Sequence, residues 1–386
     1  MSQHVPAETH LSCPGVSSSR KKSPWSPARI LASCAGTAVF CTALLSAAIA
    51  AQPIQPARTA LINPRAIAVN PATHRVYVVD QPENSVVTED IRSGVSTSIP
   101  VGKFPDALAI DPGLDRIYVV NSASDTVSVI DGATQSVMAT VPAGRMPYAI
   151  AIDPGLHRVL VMNTYSSFVT EIDEATNRPA QLPLGSKDAV AFDGRLHLAW
   201  LLGYEDPALT VLDETSHATR RAPAVMHLWG LAVDEDRSIL YATEAQSRAL
   251  LVLNEKTGAE TTIPVGAIPC AVAVDPHTGL VYVLNYADDN MTVVQSSPGK
   301  ALATIPVGSR PEAIAVDPER DRIYVANTHS DSVSVIDGQT RTVMATVPAG
   351  RNPYAIGIDS DRNAVYAANF GSPVYTRLKL DVLGHR

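Results

Sequence analysis

The stretch "RIYVVNSASDTVSVIDGATQSVMATVPAG", from Arg116 to Gly144, returns almost unchanged from Arg322 to Gly350 as "RIYVANTHSDSVSVIDGQTRTVMATVPAG". Both copies alternate apolar and polar residues in short runs that are separated by Asn, Asp, Ser and Gly. This pattern is typical of short β-strands joined by tight turns. Because one chain contains the stretch twice, it indicates a structural repeat rather than a unique active site.

The repeat occurs eight times, and its marker is the acidic or amide residue that ends a short apolar strand, as in "ALAIDP". Successive markers are 40 to 42 residues apart: Asn70, Asp111, Asp153, Asp193, Asp234, Asp275, Asp317 and Asp359. Each period holds four short strands, which in the second unit are "ALAI", "RIYVV", "TVSVI" and "VMATVP". Four antiparallel strands in about forty residues predict one blade of a β-propeller.

The two ends of the repeat region predict the number of blades. The last unit, which starts near Pro353, has no obvious fourth strand, whereas "RTALI" at residues 58–62 precedes the first unit with the spacing of a fourth strand. We therefore predict an all-β protein, a propeller of eight four-stranded antiparallel blades closed by this N-terminal strand. Seven blades with a spare partial unit are the alternative.

The N-terminal 51 residues differ from the repeats and predict an export signal. A polar leader with a basic cluster precedes an apolar run from Ile30 to Ala51, and Ala48 and Ala50 form a small-x-small cleavage pattern. We expect cleavage after Ala50, and we expect the mature protein in the periplasm or outside the cell. The run is also long enough to remain as a membrane anchor, which is the alternative. The predicted organisation is a signal or anchor at 1–51, a linker at 52–57 and a single propeller at 58–386.

Charge and cysteine content limit the partners and the chemistry. Removing the leader takes away four basic residues and one acidic residue, so the net charge changes from −8 to −11. Such an acidic chain disfavours nucleic acid as a partner. Three of the four cysteines lie within the predicted signal at 1–51, so its removal leaves Cys270 without an intramolecular disulfide partner.

The second strand of the blades carries a recognisable motif, with "YVVN" at Tyr118, "YVLN" at Tyr282, "YVAN" at Tyr324 and "YAAN" at Tyr366. Together with "SVSVID", "ATVPAG" and "AIAVDP", this motif resembles the YVTN family of β-propeller repeat proteins. The resemblance covers the chain from about residue 58 and implies the propeller fold. The family includes binding proteins and relatives of lactonases and streptogramin lyases, so the resemblance leaves the function open. Blades four and five depart from the motif because they lack its terminal Asn.

The repeated residues predict scaffold roles. Six blades place a Tyr seven residues after the marker, and Leu160 and Trp200 occupy the same position in two further blades. A side chain that recurs in this way is expected in the core. The recurrent Asn, as in Asn121 and Asn327, is expected to cap the following loop, and the Asp of "VIDG" to form a turn.

The chain varies at one position per blade, just before the innermost strand. We name these eight positions the mouth ring, because in a propeller they surround one opening of the central channel. They mix aromatic, acidic and basic side chains, a combination that suits a ligand-binding surface. The mouth ring comprises Arg65, Asp106, Tyr148, Asp188, Trp229, Cys270, Glu312 and Tyr354.

The loops after the second strands, here named the rim loops, are expected on the same face. Their candidate binding residues are Tyr204, Glu244, Tyr286 and His329. A mouth metal site would require Glu312, His329, His227 and Glu244 to converge. His74, His157, His197 and His277 lie in turns expected on the opposite face. No catalytic motif, metal site or cofactor is predicted.

These features favour an exported, monomeric, non-enzymatic propeller that binds a small molecule, a peptide or a cell-envelope protein at the mouth. Contact with a membrane is expected only through an uncleaved N-terminal segment. A metal-dependent hydrolase or lyase, of the lactonase or streptogramin-lyase type, is the alternative.

Overall fold

The computed structural model describes residues 67–203, 209–222, 228–297, 299–369 and 375–379, and the backbone of 51–54. The predicted signal, the segment "RTALI", Arg65, Tyr204 and His227 lie outside the described residues. Strands and turns make up the described part, in which no helix occurs. Within that part, nothing has the length and apolar character of a membrane-crossing helix.

The strands group into eight sheets of four, and consecutive sheets follow one another along the chain. The first four blades are built from β2 (Ile67–Asn70), β3 (Arg75–Asp80), β4 (Ser85–Asp90) and β5 (Ser96–Pro100); β6 (Pro105–Asp111), β7 (Arg116–Asn121), β8 (Thr126–Asp131) and β9 (Ser136–Pro142); β10 (Pro147–Asp153), β11 (Arg158–Asn163), β12 (Val169–Asp173) and β13 (Arg178–Leu182); and β14 (Ala189–Asp193), β15 (Leu198–Leu202), β16 (Thr210–Asp213) and β17 (Thr219–Arg221).

The remaining blades continue the same order. They are built from β18 (Leu228–Asp234), β19 (Ile239–Glu244), β20 (Ala249–Asn254) and β21 (Glu260–Pro264); β22 (Pro269–Val274), β23 (Leu280–Asn285), β24 (Asn290–Gln295) and β25 (Lys300–Pro306); β26 (Pro311–Asp317), β27 (Arg322–Asn327), β28 (Ser332–Asp337) and β29 (Thr342–Pro348); and β30 (Pro353–Asp359), β31 (Ala364–Asn369) and β32 (Tyr375–Lys379) with β1 (Ala51–Ile54).

Every blade is antiparallel, and the first strand of each blade contacts the first strand of the next. The contact between β30 and β2 closes the ring. The prediction of an eight-bladed propeller is therefore confirmed, and the seven-bladed alternative is wrong.

The strand that completes the last blade is N-terminal, as expected, but it is a different segment. β1 pairs with β32, Ala51 lying opposite Leu378 and Ile54 opposite Tyr375. The structure thus begins the propeller at Ala51, within the stretch predicted to end the signal and form the linker, rather than at residue 58. The proline in "AQPI" obscured this strand, although proline is tolerated there because an outermost strand needs hydrogen bonds on one side only.

The core lies between neighbouring blades and depends on a size match across the first two strands. Tyr118 pairs with Ala109 and Tyr366 with Gly357, and the same large-to-small pairing recurs where Trp200 faces Ala191. These aromatic side chains are fully buried. The scaffold role predicted for the repeated Tyr follows, since a small partner on the inner strand leaves room for the ring.

Candidate binding face at the channel mouth

The mouth face is built from two segments per blade that hold each other through the backbone. In the third blade, the N–H of Thr164 donates to the carbonyl of Met146 at 3.0 Å, and the N–H of Tyr165 donates to the carbonyl of Arg145 at 3.2 Å. The seventh blade repeats the pair from Thr328 to Arg310. The connection into a blade and the rim loop of that blade therefore form one continuous surface.

The recurrent Asn stabilises this surface through hydrogen bonds made beneath it. Asn327 is fully buried, its Oδ1 accepts the N–H of Gly308 at 3.0 Å, and its Nδ2 donates to Ser334 at 2.9 Å. A Cβ at position 308 would lie 2.6 Å from the Asn327 Cγ, so this position requires glycine. Asn163 and Asn285 make the equivalent bonds to Gly144 and Gly266.

The fourth blade, which lacks the Asn, has a substitute that the sequence did not reveal. In other blades the Asn amide donates to a hydroxyl on the third strand, such as Thr170. In the fourth blade Gly203 occupies the Asn position, and the fully buried Lys187 donates from Nζ to the equivalent Thr210 at 3.0 Å. The lysine thus replaces an absent side chain and is part of the scaffold.

In the described connections that lead to an inner strand beginning with a proline, the residue before that proline has a left-handed backbone conformation. Met146 has φ 51° and Arg310 also has φ 51°. Their N–H groups donate at 2.8 Å to the carboxylates of Asp125 and Asp289, which belong to the preceding blade. Because these bonds compensate for an unfavourable backbone conformation, they fix the direction in which each connection reaches the inner strand.

The variable residue of the mouth ring lies at a β-bulge. The register between the first and second strands shifts at Pro105/Ala107, and the residue skipped is Asp106. The same shift occurs at Tyr148, Cys270, Glu312 and Tyr354, and in the fifth blade it spans Trp229 and Gly230. A bulged residue is released from the ladder and its side chain is turned in a new direction, a feature common next to functional sites.

The mouth-ring side chains differ in exposure. Trp229 is 56% exposed and Tyr148 45%, and Glu312 is also exposed. Asp188, Cys270 and Tyr354 are half-buried. The structure therefore presents two large aromatic surfaces at the mouth, on the third and fifth blades.

Two mouth-ring members are less suited to binding than the sequence predicted. Asp106 is buried and accepts a hydrogen bond from Gln81 Nε2 at 3.0 Å. The Cys270 thiol donates to the Pro311 carbonyl at 3.2 Å, and burial, followed by the Glu312 carboxylate, raises its pKa to about 12. A thiol with this pKa stays protonated at neutral pH and is a poor nucleophile.

The described rim-loop residues are placed at the same face with different roles. Tyr286 is covered by Arg310, whose guanidinium lies 4.8 Å from the ring centroid and donates to the hydroxyl at 2.8 Å. Glu244 accepts a hydrogen bond from Ser247. His329 is exposed, and its backbone N–H donates to the carbonyl of Ser309 at 3.1 Å. Of the three, His329 is the residue most open to a ligand.

Several exposed apolar residues of this face are not among those predicted from the sequence. Tyr165 in the third rim loop is 65% exposed, and three further residues precede the prolines of the connections: Phe104, Met146 and Ile268. Tyr165 occupies the position of His329 in its blade, which is a signal that an alignment of the repeats contains. Exposed basic side chains, Lys103, Arg145 and Arg351, lie in the same connections.

Among the described residues, the convergent groups of possible metal ligands and one small cavity lie away from the mouth. Within the part of the chain that the structure describes, the two convergent groups of possible metal ligands do not include Glu312, His329 or Glu244. A cavity of about 150 Å³ lies on the fifth blade and is lined by Ile239, Val252, Asn254, Ala259, Glu260 and Thr261. It is smaller than a typical ligand pocket.

Buried carboxyl groups follow the third strands of the fourth and fifth blades, on the face opposite the mouth. Glu214 is 1% exposed; burial, the carboxylate of Asp153 and then that of Glu171 raise its pKa to about 8. Burial, followed by Asp193, also raises the pKa of Glu255 to about 8. Glu214 and Glu255 follow the turn-forming residues Asp213 and Asn254, and neither was predicted from the sequence as a functional residue.

The family comparison agrees with this architecture. A model of the YNCE-like β-propeller family matches residues 257–374. The chain is a β-propeller repeat protein. The match spans less than a third of the chain, and the narrower YVTN name stays a prediction. No curated protein matches the chain.

Solved β-propellers resemble this one at low sequence identity. Dihydro-heme d1 dehydrogenase in complex with DHE has a TM-score of 0.65 at 18% identity, over 85% of this chain and 78% of that chain. Hydrazine synthase from Kuenenia stuttgartiensis gives 0.58 at 19%, over 84% and 97%. Virginiamycin B lyase from Staphylococcus aureus gives 0.56 at 14%, over 70% and 94%. At these identities the similarity shows the fold alone.

Proposed function

We propose that this β-propeller is an exported, non-enzymatic binding protein that uses the mouth face to hold a partner. The observation that supports the proposal most strongly is the bulge at the mouth ring. In six blades the residue that varies is the residue released from the strand ladder, whereas the residues that recur are buried. Variation is thus concentrated where a side chain can change without cost to the fold.

The exposed side chains of this face suit protein or peptide binding. Among the described residues, six large apolar side chains are exposed here: Phe104, Met146, Tyr148, Tyr165, Trp229 and Ile268. Aromatic residues supply large, rigid contact area at a small entropic cost, and apolar surface collected on one face is typical of an interaction site. The hydrogen-bonded connections beneath them keep the surface preorganised.

The charges of the face limit the chemistry of the partner. Lys103 and Arg145 are exposed next to Phe104 and Met146, and Arg351 is exposed in the connection into the eighth blade. We expect a cell-envelope peptide, protein or small molecule that combines apolar surface with carboxylates. Ion pairs between these exposed basic side chains and the partner's carboxylates are screened by salt, so binding should weaken as ionic strength rises.

The proposal is tested by comparing two triple variants as bait for cell-envelope extracts. Trp229→Ala, Tyr148→Ala and Tyr165→Ala together remove the aromatic surface of the mouth. The control combines Met138→Ala, Met344→Ala and Val343→Ala, which are exposed on outermost strands. We expect a molecule that wild type and the control retain and the mouth variant releases.

The fluorescence of Trp229 gives a second readout. Trp200 is fully buried, so Trp229 is the exposed tryptophan of the described residues. A molecule bound at the mouth should protect it from acrylamide quenching. If the retained molecule stays bound to the mouth variant and leaves Trp229 unprotected, the mouth face is not the binding surface.

A further inference from the structure

Three side chains converge at the joint between the second and third blades, on the face opposite the mouth. Asp111 ends the inner strand of the second blade, while His157 and Glu174 come from two turns of the third blade. One ligand atom from each, two carboxylate oxygens and an imidazole nitrogen, lie within 4.8 Å of one another. The site is therefore shared by two blades.

The backbone fixes all three residues. The N–H of Glu174 donates to the carbonyl of His157 at 3.0 Å, which holds the two turns together. One carboxylate oxygen of Asp111 accepts the N–H of Gly113 at 2.8 Å. His157 has φ 54°, in the left-handed region, and its side chain is 61% exposed. The two acids thus lie inside the joint, with the imidazole at the solvent boundary.

The carboxylate of Glu174 is buried without a hydrogen bond from the described residues. It is 0% exposed, and neither of its carboxylate oxygens has a hydrogen-bond partner among the described residues. Its nearest basic atom is Nδ1 of His157, at 3.4 Å. The guanidinium of Arg116 donates to the backbone carbonyl of Glu174 instead of its carboxylate. A buried carboxyl beside a second buried acid is costly unless a cation or a proton compensates for it.

The scaffold does not require this arrangement. In the second blade the position of Glu174 is Gly132, where a Cβ would meet the Asp115 carboxylate, and the seventh blade has the same pair in Gly338 and Asp321. The third blade has His157 in place of the Asp and Glu174 in place of the Gly. This double exchange creates the joint's nitrogen ligand and moves the carboxylate to the other turn.

We propose that Asp111, His157 and Glu174 bind a divalent transition-metal cation, which cross-links the second and third blades. One imidazole and two carboxylates are ligands that Zn²⁺ accepts, and a water completes a four-coordinate site. Ca²⁺ prefers six to eight oxygen ligands, which this joint does not offer. The site lies on the other face from the proposed binding surface and is independent of it.

At two related joints the His and the Asp are paired directly. At the next joint, His197 Nδ1 lies 2.7 Å from Asp153 Oδ2. Glu214 of that joint also has no hydrogen-bond partner for its carboxylate oxygens among the described residues, but it does not converge with the other two into a ligand group. The second convergent group, His74 with Asp359 and Asp361, has Arg362 Nε at 3.8 Å from the Asp359 carboxylate. Both joints therefore supply matched controls.

The test measures Zn²⁺ binding to the metal-free full chain by equilibrium dialysis and elemental analysis. We expect one ion per chain and a rise in melting temperature. Glu174→Gln keeps the shape of the side chain, and His157→Asn tolerates the left-handed backbone. Each should weaken binding about tenfold or more. Glu214→Gln and His74→Asn, the matched controls, should bind as wild type, and Ca²⁺ should not bind.

Co²⁺ provides a readout that does not depend on stability. Its visible absorption should indicate a nitrogen and oxygen ligand set in wild type, and should disappear in Glu174→Gln while circular dichroism stays unchanged. The proposal is overturned if metal-free wild type binds no Zn²⁺. It is also overturned if binding persists in Glu174→Gln and His157→Asn, or if His74→Asn abolishes it.

Discussion

Asn327 and His329 lie two residues apart in one rim loop of the repeated stretch, and they have opposite environments. Asn327 is fully buried with hydrogen bonds to Gly308, Ser332 and Ser334, whereas the His329 side chain is exposed. The recurrence of the Asn across blades predicted this difference. The role of Lys187 could not be predicted, because its bond to Thr210 replaces a residue that the fourth blade lacks.

Asn327→Ala should lower the free energy of unfolding by about 2–4 kcal/mol, because it leaves the Gly308 N–H and two hydroxyls without their partner in a buried site. His329→Ala, in the same loop, should change it by no more than about 0.5 kcal/mol. Urea unfolding of both variants checks the difference. Equal losses would contradict the division between scaffold and variable positions.

Glu214 predicts a pH dependence of stability. Its pKa is raised from an ordinary value of 4.5 to about 8 in the folded chain, so the folded state keeps a proton that the unfolded state releases. The stability contributed by this proton is complete below about pH 4.5 and is lost as the pH rises to about 8. The loss reaches at most about 1.4 kcal/mol per pH unit.

Glu214→Gln is neutral at every pH and should flatten this part of the profile, measured by urea unfolding at pH 5, 6.5 and 8. Glu260→Gln, at an exposed position, is the control and should keep the wild-type slope. An unchanged slope in Glu214→Gln would show that this carboxyl is ionised in the folded chain.

At the scale of strands and loops, the alternation of apolar residues predicted the four strands of each blade because that signal is local. The bulge before the inner strand was not predicted, since it is a register shift between two strands and the sequence of either strand alone does not reveal it. An N-terminal closing strand was predicted, but it was assigned to residues 58–62 instead of Ala51–Ile54. Its pairing with β32 joins residues more than three hundred positions apart.

The closing strand can be tested by shortening the chain. A chain that begins at Gln55 lacks β1 and should melt at least about 5 °C lower than one that begins at Ala51, because β32 becomes an unpaired edge. Amide exchange in Tyr375–Lys379 should accelerate in the shorter chain. Equal melting and exchange would show that Ala51–Ile54 does not close the ring.

At the scale of the whole molecule, the repeat length and the residues of the turns were sufficient to predict eight blades. The exposed residues of the binding surface could be assigned only from the folded structure. The mouth ring was found by comparing repeats, but the exposure of Trp229 and the burial of Asp106 depend on packing between blades. Tyr165 was missed because one aromatic residue in a polar loop has no local signal.

Export predicts a defined mature N-terminus. Cleavage after Ala50 would leave Ala51, the first residue of β1, so the complete propeller would survive processing. Mass spectrometry of the protein recovered from the periplasm or the medium should identify Ala51 as the first residue. A membrane-bound product that retains residues 1–50 would support the uncleaved anchor instead.

The most direct test of the binding face is hydroxyl-radical labelling of the protein in intact cells and after purification. Trp229, Tyr148 and Tyr165 report on the mouth, and Met138 and Met344 report on the outer strands. A partner at the mouth predicts that the three aromatic residues are labelled several-fold less in cells, while the two methionines are labelled equally in both samples. Equal labelling of the aromatic residues in cells and in the purified protein would contradict the account.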